Sequence, residues 1–307
     1  MSSHSSLAPA RTNPGTTGIL LTCLAVMLFA SHDALAKYLG GIYPLLMVAW
    51  VRFTSQTLVM SILFGPRRDI RLLKTSYPGL QLLRALLLIA TSLCFVSGLR
   101  YLPLAEMSAL HGLSPLLLTA ISVMVLGERI SSGQWLAVLG GFVGVLIIMR
   151  PGGALFSPAM LFPLGSASFF ALYQLLTQRL CWTEDATTCN FISGLLISLL
   201  VTLLLPFCWQ TPSLPHMLLM LGMGACGTCG HLLMSKSYRH ASPATLAPFS
   251  YGQIVCAGIL GVVFFNHVPD HWTLAGITII IASGLIAIFC KRSETRLPSD
   301  SRPTRTM

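Results

Sequence analysis

Asp33 and Lys37 stand four residues apart inside a long apolar run, a spacing that puts both on one helical face. Arg52, Arg84 and Glu106 follow, each also set in apolar sequence, together with His32, His111 and His231. An ionisable group in hydrocarbon is costly unless it is paired or faces water, so each of these is a candidate for function. Asp33 and Lys37 admit two readings: an ion pair near the outer membrane edge with Lys37 snorkelling to the surface, or a cavity-lining pair that exchanges partners. Arg52 and Arg84 stay charged and can grip a carboxylate or phosphate bidentately; otherwise Asp33, Glu106 or backbone carbonyls satisfy them. Glu106 opens its run and suits either a helix N-terminus or a proton-coupling group. The three histidines titrate near neutral pH and could carry a proton, or serve as hydrogen-bonded packing residues. Lys37, Arg52 and Arg84 outnumber Asp33 and Glu106, which favours a solute bearing a carboxylate or phosphate.

A second constellation surrounds two prolines. Pro115, in Leu113-Ser114-Pro115, frees a carbonyl near the middle of one run, and Pro248 precedes Ser250, Tyr251 and Gln253 near the middle of another. Tyr251 could stack on a planar solute while Ser250 and Gln253 hydrogen-bond it, with helix packing as the alternative for each. Catalytic chemistry finds little support. No His-Glu-x-x-His spacing marks a metal site, and neither paired catalytic carboxylates nor an activated serine or cysteine is evident, so an intramembrane enzyme is a distant alternative. Cys226-Gly-Thr-Cys229 reads CxxC, but it has no second pair and lies among Gly222, Gly224, Gly227 and Gly230, a setting for close helix packing. No cofactor, metal or catalytic residue is assigned.

The elements that must position these groups are plain in the composition. The 307 residues are 54% hydrophobic and only 9% charged, with mean hydropathy +0.76, which excludes an ordinary soluble domain. Ten apolar runs, about 18–24 residues each, have the length of bilayer-crossing helices: 17–39, 43–64, 77–99, 103–126, 132–149, 158–180, 190–209, 215–237, 243–265 and 271–290. Arg11 ahead of an apolar run and Ala34-Leu35-Ala36 imitate a signal peptide, but the run continues through Lys37-Tyr38-Leu39, and a retained span is expected. The net charge of +10 does not point to nucleic acid, because Lys and Arg sit between and beyond the runs. With both termini cytoplasmic, the inner segments hold Arg11, Arg67, Arg68, Arg71, Lys74, Arg129, Arg179, Lys236, Arg239, Lys291, Arg292, Arg296, Arg302 and Arg305; the outer segments hold Arg100 and Arg150. That asymmetry sets the orientation expected here.

The two halves repeat weakly. Pro103, Gly127-Glu128-Arg129 and Trp135 have counterparts in Pro243, Asn266-His267-Val268 and Trp272. Five spans per half is odd, so the second copy enters the membrane inverted, an architecture of carriers that alternate access around a central site. The expected fold is an all-α integral membrane protein of ten transmembrane helices in two inverted five-helix repeats. The expected division is a polar N-terminus 1–16, repeats 17–149 and 158–290, an outer linker 150–157 and a basic tail 291–307. No Gly-x-x-x-x-Gly-Lys-Ser/Thr loop is present, so coupling to a proton gradient or exchange is expected rather than direct use of ATP.

Against this background the sequence resembles the EamA-type transporters of the drug/metabolite transporter superfamily. The matching stretches are Asp33-Ala-Leu-Ala-Lys37-Tyr-Leu, Leu99-Arg-Tyr-Leu-Pro-Leu-Ala-Glu106, Leu126-Gly-Glu-Arg129, Gly140-Gly-Phe-Val-Gly144, Arg150-Pro-Gly, Ala247-Pro-Phe-Ser-Tyr-Gly-Gln253 and Val268-Pro-Asp270. The resemblance implies a ten-helix carrier of small organic metabolites, often working outward, in the bacterial inner membrane. Its subgroup includes carriers of riboflavin, S-adenosylmethionine and opine-type metallophores. The expected function is export of a small anionic or zwitterionic metabolite, an amino-acid-like metallophore among the options, with uptake of a vitamin or nucleoside-type metabolite as the alternative. The expected partners are that solute and membrane lipid, with a homodimer left open and no nucleic acid. One departure stands out: where the second repeat of the family has Gly-Glu, this chain has Asn266-His267. The exchange is harmless if that Glu only caps a helix, and consequential if it takes part in gating.

Overall fold

The computed structural model describes residues 14–68, 75–126, 131–150, 158–180, 183–241 and 243–296. Gly127-Glu128-Arg129, Pro151-Gly152, the rest of the 151–157 linker and both chain ends lie outside these. The described residues form twelve α-helices: α1 (Pro14–Gly40), α2 (Leu45–Arg68), α3 (Pro78–Tyr101), α4 (Leu104–His111), α5 (Ser114–Leu126), α6 (Ser132–Met149), α7 (Leu161–Leu180), α8 (Ala186–Leu204), α9 (Leu214–Ser237), α10 (Pro243–Ser250), α11 (Gly252–Phe265) and α12 (His271–Arg296). They make ten helical spans long and apolar enough to cross a bilayer. Two spans are broken, the fourth into α4 and α5 and the ninth into α10 and α11, at the corresponding place in each repeat.

The first break follows from its sequence. Pro115 has no N–H to offer the carbonyl of His111, and the Ser114 hydroxyl donates to that carbonyl instead, at 2.6 Å. The chain turns at Gly112 and Leu113, and a new helix starts. In the ninth span Pro248 lies inside α10, and the turn comes at Tyr251.

Packing shows the two-fold relation of the repeats. Helix α1 packs on α9 as its counterpart α7 packs on α3; α1 meets α11 as α7 meets α5; α2 meets α9 as α8 meets α3; and α1 meets α10 as α7 meets α4. The pairs α2–α8 and α6–α12 lie across the relation itself. The symmetry is not complete: α4 packs against α11 and α5 against α6, but no comparable packing joins α10 to α5 or α11 to α12.

Glycines set the closest approaches. Along the α6–α12 seam a Cβ on Gly144 would lie 2.9 Å from the Gly276 carbonyl and 2.8 Å from Ile280, so the two backbones touch. Helix α9 uses its glycines as notches for its neighbours: Gly224 faces Ser55, Gly227 faces the His32 ring and Gly230 faces the Phe29 ring.

Candidate functional site

Asp33 lies about two turns before the C-terminal end of α1 and is buried. Its Oδ1 is 3.1 Å from His32 Nδ1, and its Oδ2 accepts a 2.9 Å bond from Gln253 Nε2 at the start of α11. The first repeat's acid is thus held by an amide from the second, across the broken ninth span. Lys37 is not its partner. One turn nearer the helix end, its ammonium donates to the carbonyls of Leu99 (2.6 Å) and Leu102 (2.7 Å) at the C-terminus of α3, where a cation meets unsatisfied carbonyls. It also sits 5.5 Å from the Phe265 ring.

The two arginines have different surroundings. Arg84 is fully enclosed among α3, α7 and α8. It donates to Thr177 Oγ1 (2.7 Å), the Cys189 carbonyl (2.5 Å), Ser193 Oγ (2.8 Å), Tyr173 OH (2.7 Å) and Asn190 Oδ1 (2.8 Å). All five guanidinium N–H groups are engaged, which leaves nothing for a solute in this state. Arg52 makes a single long bond, 3.4 Å to Ser92 Oγ, and lies beside the Phe53 ring. No ion pair joins it to Asp33, yet the two interact electrostatically.

Arg52 and His111 are only partly buried and His231 is exposed, so open space lies beside each of them. His32 and Asp33 from α1, Arg52 from α2, His111 from α4, Tyr173 from α7 and His231 from α9 all interact electrostatically within this group. His111 Nδ1 is 3.0 Å from Ser166 Oγ, and its ring packs on Phe95 and Phe170, with Phe170 stacked on Tyr173. The group therefore holds one carboxylate and one guanidinium with unused donors, with aromatic rings beside them.

Three other candidates point elsewhere. Ser250 donates to the Leu246 carbonyl of its own helix (3.3 Å). The Tyr251 hydroxyl is buried without a partner, pressed onto Gly284 of α12. Glu106 is buried at the first turn of α4, where Oε1 is 3.0 Å from His267 Nε2 and Oε2 has no partner. His267 is aimed by its helix cap. Asn266 takes the left-handed conformation (φ 52°), which asparagine tolerates better than most residues, and the N–H groups of Asn266 and His267 both reach the Gly261 carbonyl. Nearby, the Arg150 guanidinium beside Asp270 holds its carboxyl well below the usual range, helped by the Thr273 N–H.

Sequence reading did not single out Ser166, Phe170 or Tyr173. Their signal was available, because with Thr177 they recur at i, i+4, i+7 and i+11, one face of α7.

Comparison with known proteins agrees with this architecture. A solved crystal structure aligns over 91% of this chain and 99% of its own at TM-score 0.60 and 22% identity, which shows the fold alone. The S-adenosylmethionine uptake transporter of Rickettsia bellii is 28% identical over 90% of this chain and 94% of the relative. The riboflavin transporter of Vibrio cholerae is 28% identical (87% and 91%), and the pseudopaline exporter CntI of Pseudomonas aeruginosa is 26% identical (87% and 94%). Residues 16–150 and 157–289 each match the EamA-like transporter family. With both five-span halves matched and ten apolar helices in place, this multi-pass membrane transporter belongs to the EamA-like transporter family.

Proposed function

We propose that the chain is a secondary transporter of the bacterial inner membrane, with both termini cytoplasmic, that exports a small zwitterionic metabolite by alternating access. One observation carries the substrate class. Arg52, with donors to spare, and Asp33 interact electrostatically without pairing directly, and the space beside them is the solute cavity of this reading. Three cations against two acids was the balance along the spans, but Lys37, Arg84 and Glu106 are engaged away from the cavity. What remains is one charge of each sign, which suits a zwitterion better than a net anion. The solute's carboxylate would lie on Arg52, where planar bidentate geometry favours it, and its ammonium toward Asp33. Planar portions would lie on the wall of Phe95, His111, Phe170 and Tyr173. The roles of Asp33, Arg52, His111 and Gln253 belong to this proposal.

Export has support from the relative named a pseudopaline exporter. Uptake is the second reading, favoured by four Rickettsia relatives named S-adenosylmethionine uptake transporters, among them those of Rickettsia bellii and Rickettsia conorii; that compound too carries an α-amino carboxylate. The test is untargeted metabolite profiling of cells and medium with and without the gene, followed by counterflow of the identified compound in proteoliposomes. A zwitterion retained in the deletion strain and missing from its medium is the expected result. The reverse distribution reverses the direction. Counterflow that survives Arg52→Gln unchanged, or a solute without a carboxylate, overturns the site assignment.

A further inference from the structure

We propose that Ser166 is a positioning residue of the solute site: it fixes His111 as the Nδ1–H tautomer, so that Nε2 faces the solute as a bare hydrogen-bond acceptor. The solute side of this inference rests on the transport reading above, while the tautomer itself can be tested with no solute at all.

Ser166 of α7 is wholly enclosed, and its hydroxyl donates to the Thr91 carbonyl of α3 at 3.2 Å. A hydroxyl has one hydrogen and two lone pairs. With the hydrogen committed to Thr91, Oγ meets His111 Nδ1 at 3.0 Å as an acceptor, and Nδ1 carries the ring proton. In the opposite assignment Ser166 donates to Nδ1 and gives up its bond to Thr91. The first arrangement makes two hydrogen bonds and the second makes one. A net hydrogen bond is worth about fivefold in the tautomer ratio.

The ring is fixed on its other sides. His111 closes α4, where the Ser114 hydroxyl donates to its carbonyl at 2.6 Å. Phe95 of α3 meets the imidazole edge to face, and Phe170 of α7 lies against it with 5.1 Å between centroids. Nε2 is left over. It has no hydrogen-bond partner among the described residues, and it keeps accessible surface on a ring that is only partly buried. The charged groups that act on this ring are Asp33 and Arg52, the two to which the zwitterion is assigned.

A bare Nε2 in that place sorts solutes by their donors. Asp33 already has one oxygen on His32 and the other on Gln253, so an arriving ammonium finds its lone pairs partly used. The His111 acceptor gives a nitrogen that bears hydrogens a second partner. A quaternary nitrogen of the same charge has no N–H to offer and would cover Nε2 without satisfying it, which is the kind of loss that separates close analogues. Without Ser166 the ring is free to turn Nε2–H toward the site, and that selection is lost.

The test uses the full chain in lipid nanodiscs, labelled with 15N at its eight histidines and held at about pH 8, where an ordinary imidazole is neutral. Comparison with His111→Gln assigns the ring in the nitrogen spectrum. His111 is expected to show a pyrrole-type Nδ1 and a pyridine-type Nε2, favoured at least roughly fivefold over the other tautomer. Ser166→Ala is expected to lower that ratio by about the same factor, with unchanged signals from the other histidines showing that it is folded. Diethyl pyrocarbonate, which acylates an open, unprotonated imidazole nitrogen, is expected to modify His111, read by mass spectrometry of its peptide. A predominant Nε2–H tautomer in the wild type, a ratio indifferent to Ser166→Ala in the folded variant, or a His111 that the reagent does not reach overturns the proposal. Failure of the zwitterion reading would leave the tautomer untouched.

Discussion

Two arginines inside the same membrane bundle should respond oppositely to removal of charge. Arg84→Met deletes five hydrogen bonds and strands acceptors that have no water to turn to, chiefly Asn190 Oδ1 and the Cys189 carbonyl. Breaking a buried, fully bonded charge network by removing one partner costs about 3–5 kcal/mol, even after the recovered desolvation of the cation. Arg52→Gln loses one 3.4 Å bond and a ring contact, together worth about 1 kcal/mol or less. At roughly 2–4 °C per kcal/mol, Arg84→Met should melt about 10 °C below wild type and Arg52→Gln within about 4 °C. The assay is thermal unfolding in one detergent at one scan rate, read with a dye that fluoresces on reaction with cysteine. Cys189 contributes to the Arg84 cluster and reports its opening directly. Transport should show the reverse order, lost in Arg52→Gln while any folded Arg84→Met retains it. If Arg84→Met melts within about 2 °C of wild type, or both variants fall equally, the division into a structural and a solute-binding arginine is wrong.

The α6–α12 seam gives a second contrast: Gly144→Ala, whose Cβ would strike the Gly276 backbone, should cost about 1–3 kcal/mol, whereas Gly222→Ala, with nothing within 4 Å, should be neutral or slightly stabilising in the same melt. At the cap of α11, Asn266→Gly should stabilise modestly and Asn266→Val destabilise by about 1–2 kcal/mol, because only the former fits a positive φ at no cost. Glu184, between the sixth and seventh spans, offers a pH test. Burial pushes its carboxyl up, but donors from Thr75, Gln81 and the Ser76 and Tyr77 backbone outweigh that and hold it below the ordinary value. A carboxyl lowered on folding adds stability above its unfolded value, and that stability is lost as pH falls through the folded value. Wild type should therefore weaken on acidification into that range more than Glu184→Gln does, measured by melting point against pH.

The ten spans were legible because length and apolarity are local properties, and a bilayer demands both of every crossing helix. The two prolines marked the broken spans for an equally local reason, the missing N–H at residue 115 and the proline inside α10. Residue chemistry was legible as well: Asp33, Arg52, His111 and Gln253 were identifiable as polar groups in apolar sequence, and the structure brings them into one interacting group. What hydropathy could not report was direction and partner. Asp33 and Lys37 share a helical face by spacing, yet Lys37 turns to the carbonyls at the end of α3 and Asp33 meets an amide 220 positions away. Arg84 could equally have faced a cavity, and only the packing of α7 and α8 around it supplies its five acceptors. The exchange of Gly-Glu for Asn266-His267 was visible as a departure, but its partner came from the packing that lays His267 on Glu106 of the other repeat. The sequence by itself determined the membrane, the helices, their breaks and the inventory of charges. The tertiary structure decided which charges lie together and which are satisfied apart, because a buried polar group is defined by the partner that packing brings to it.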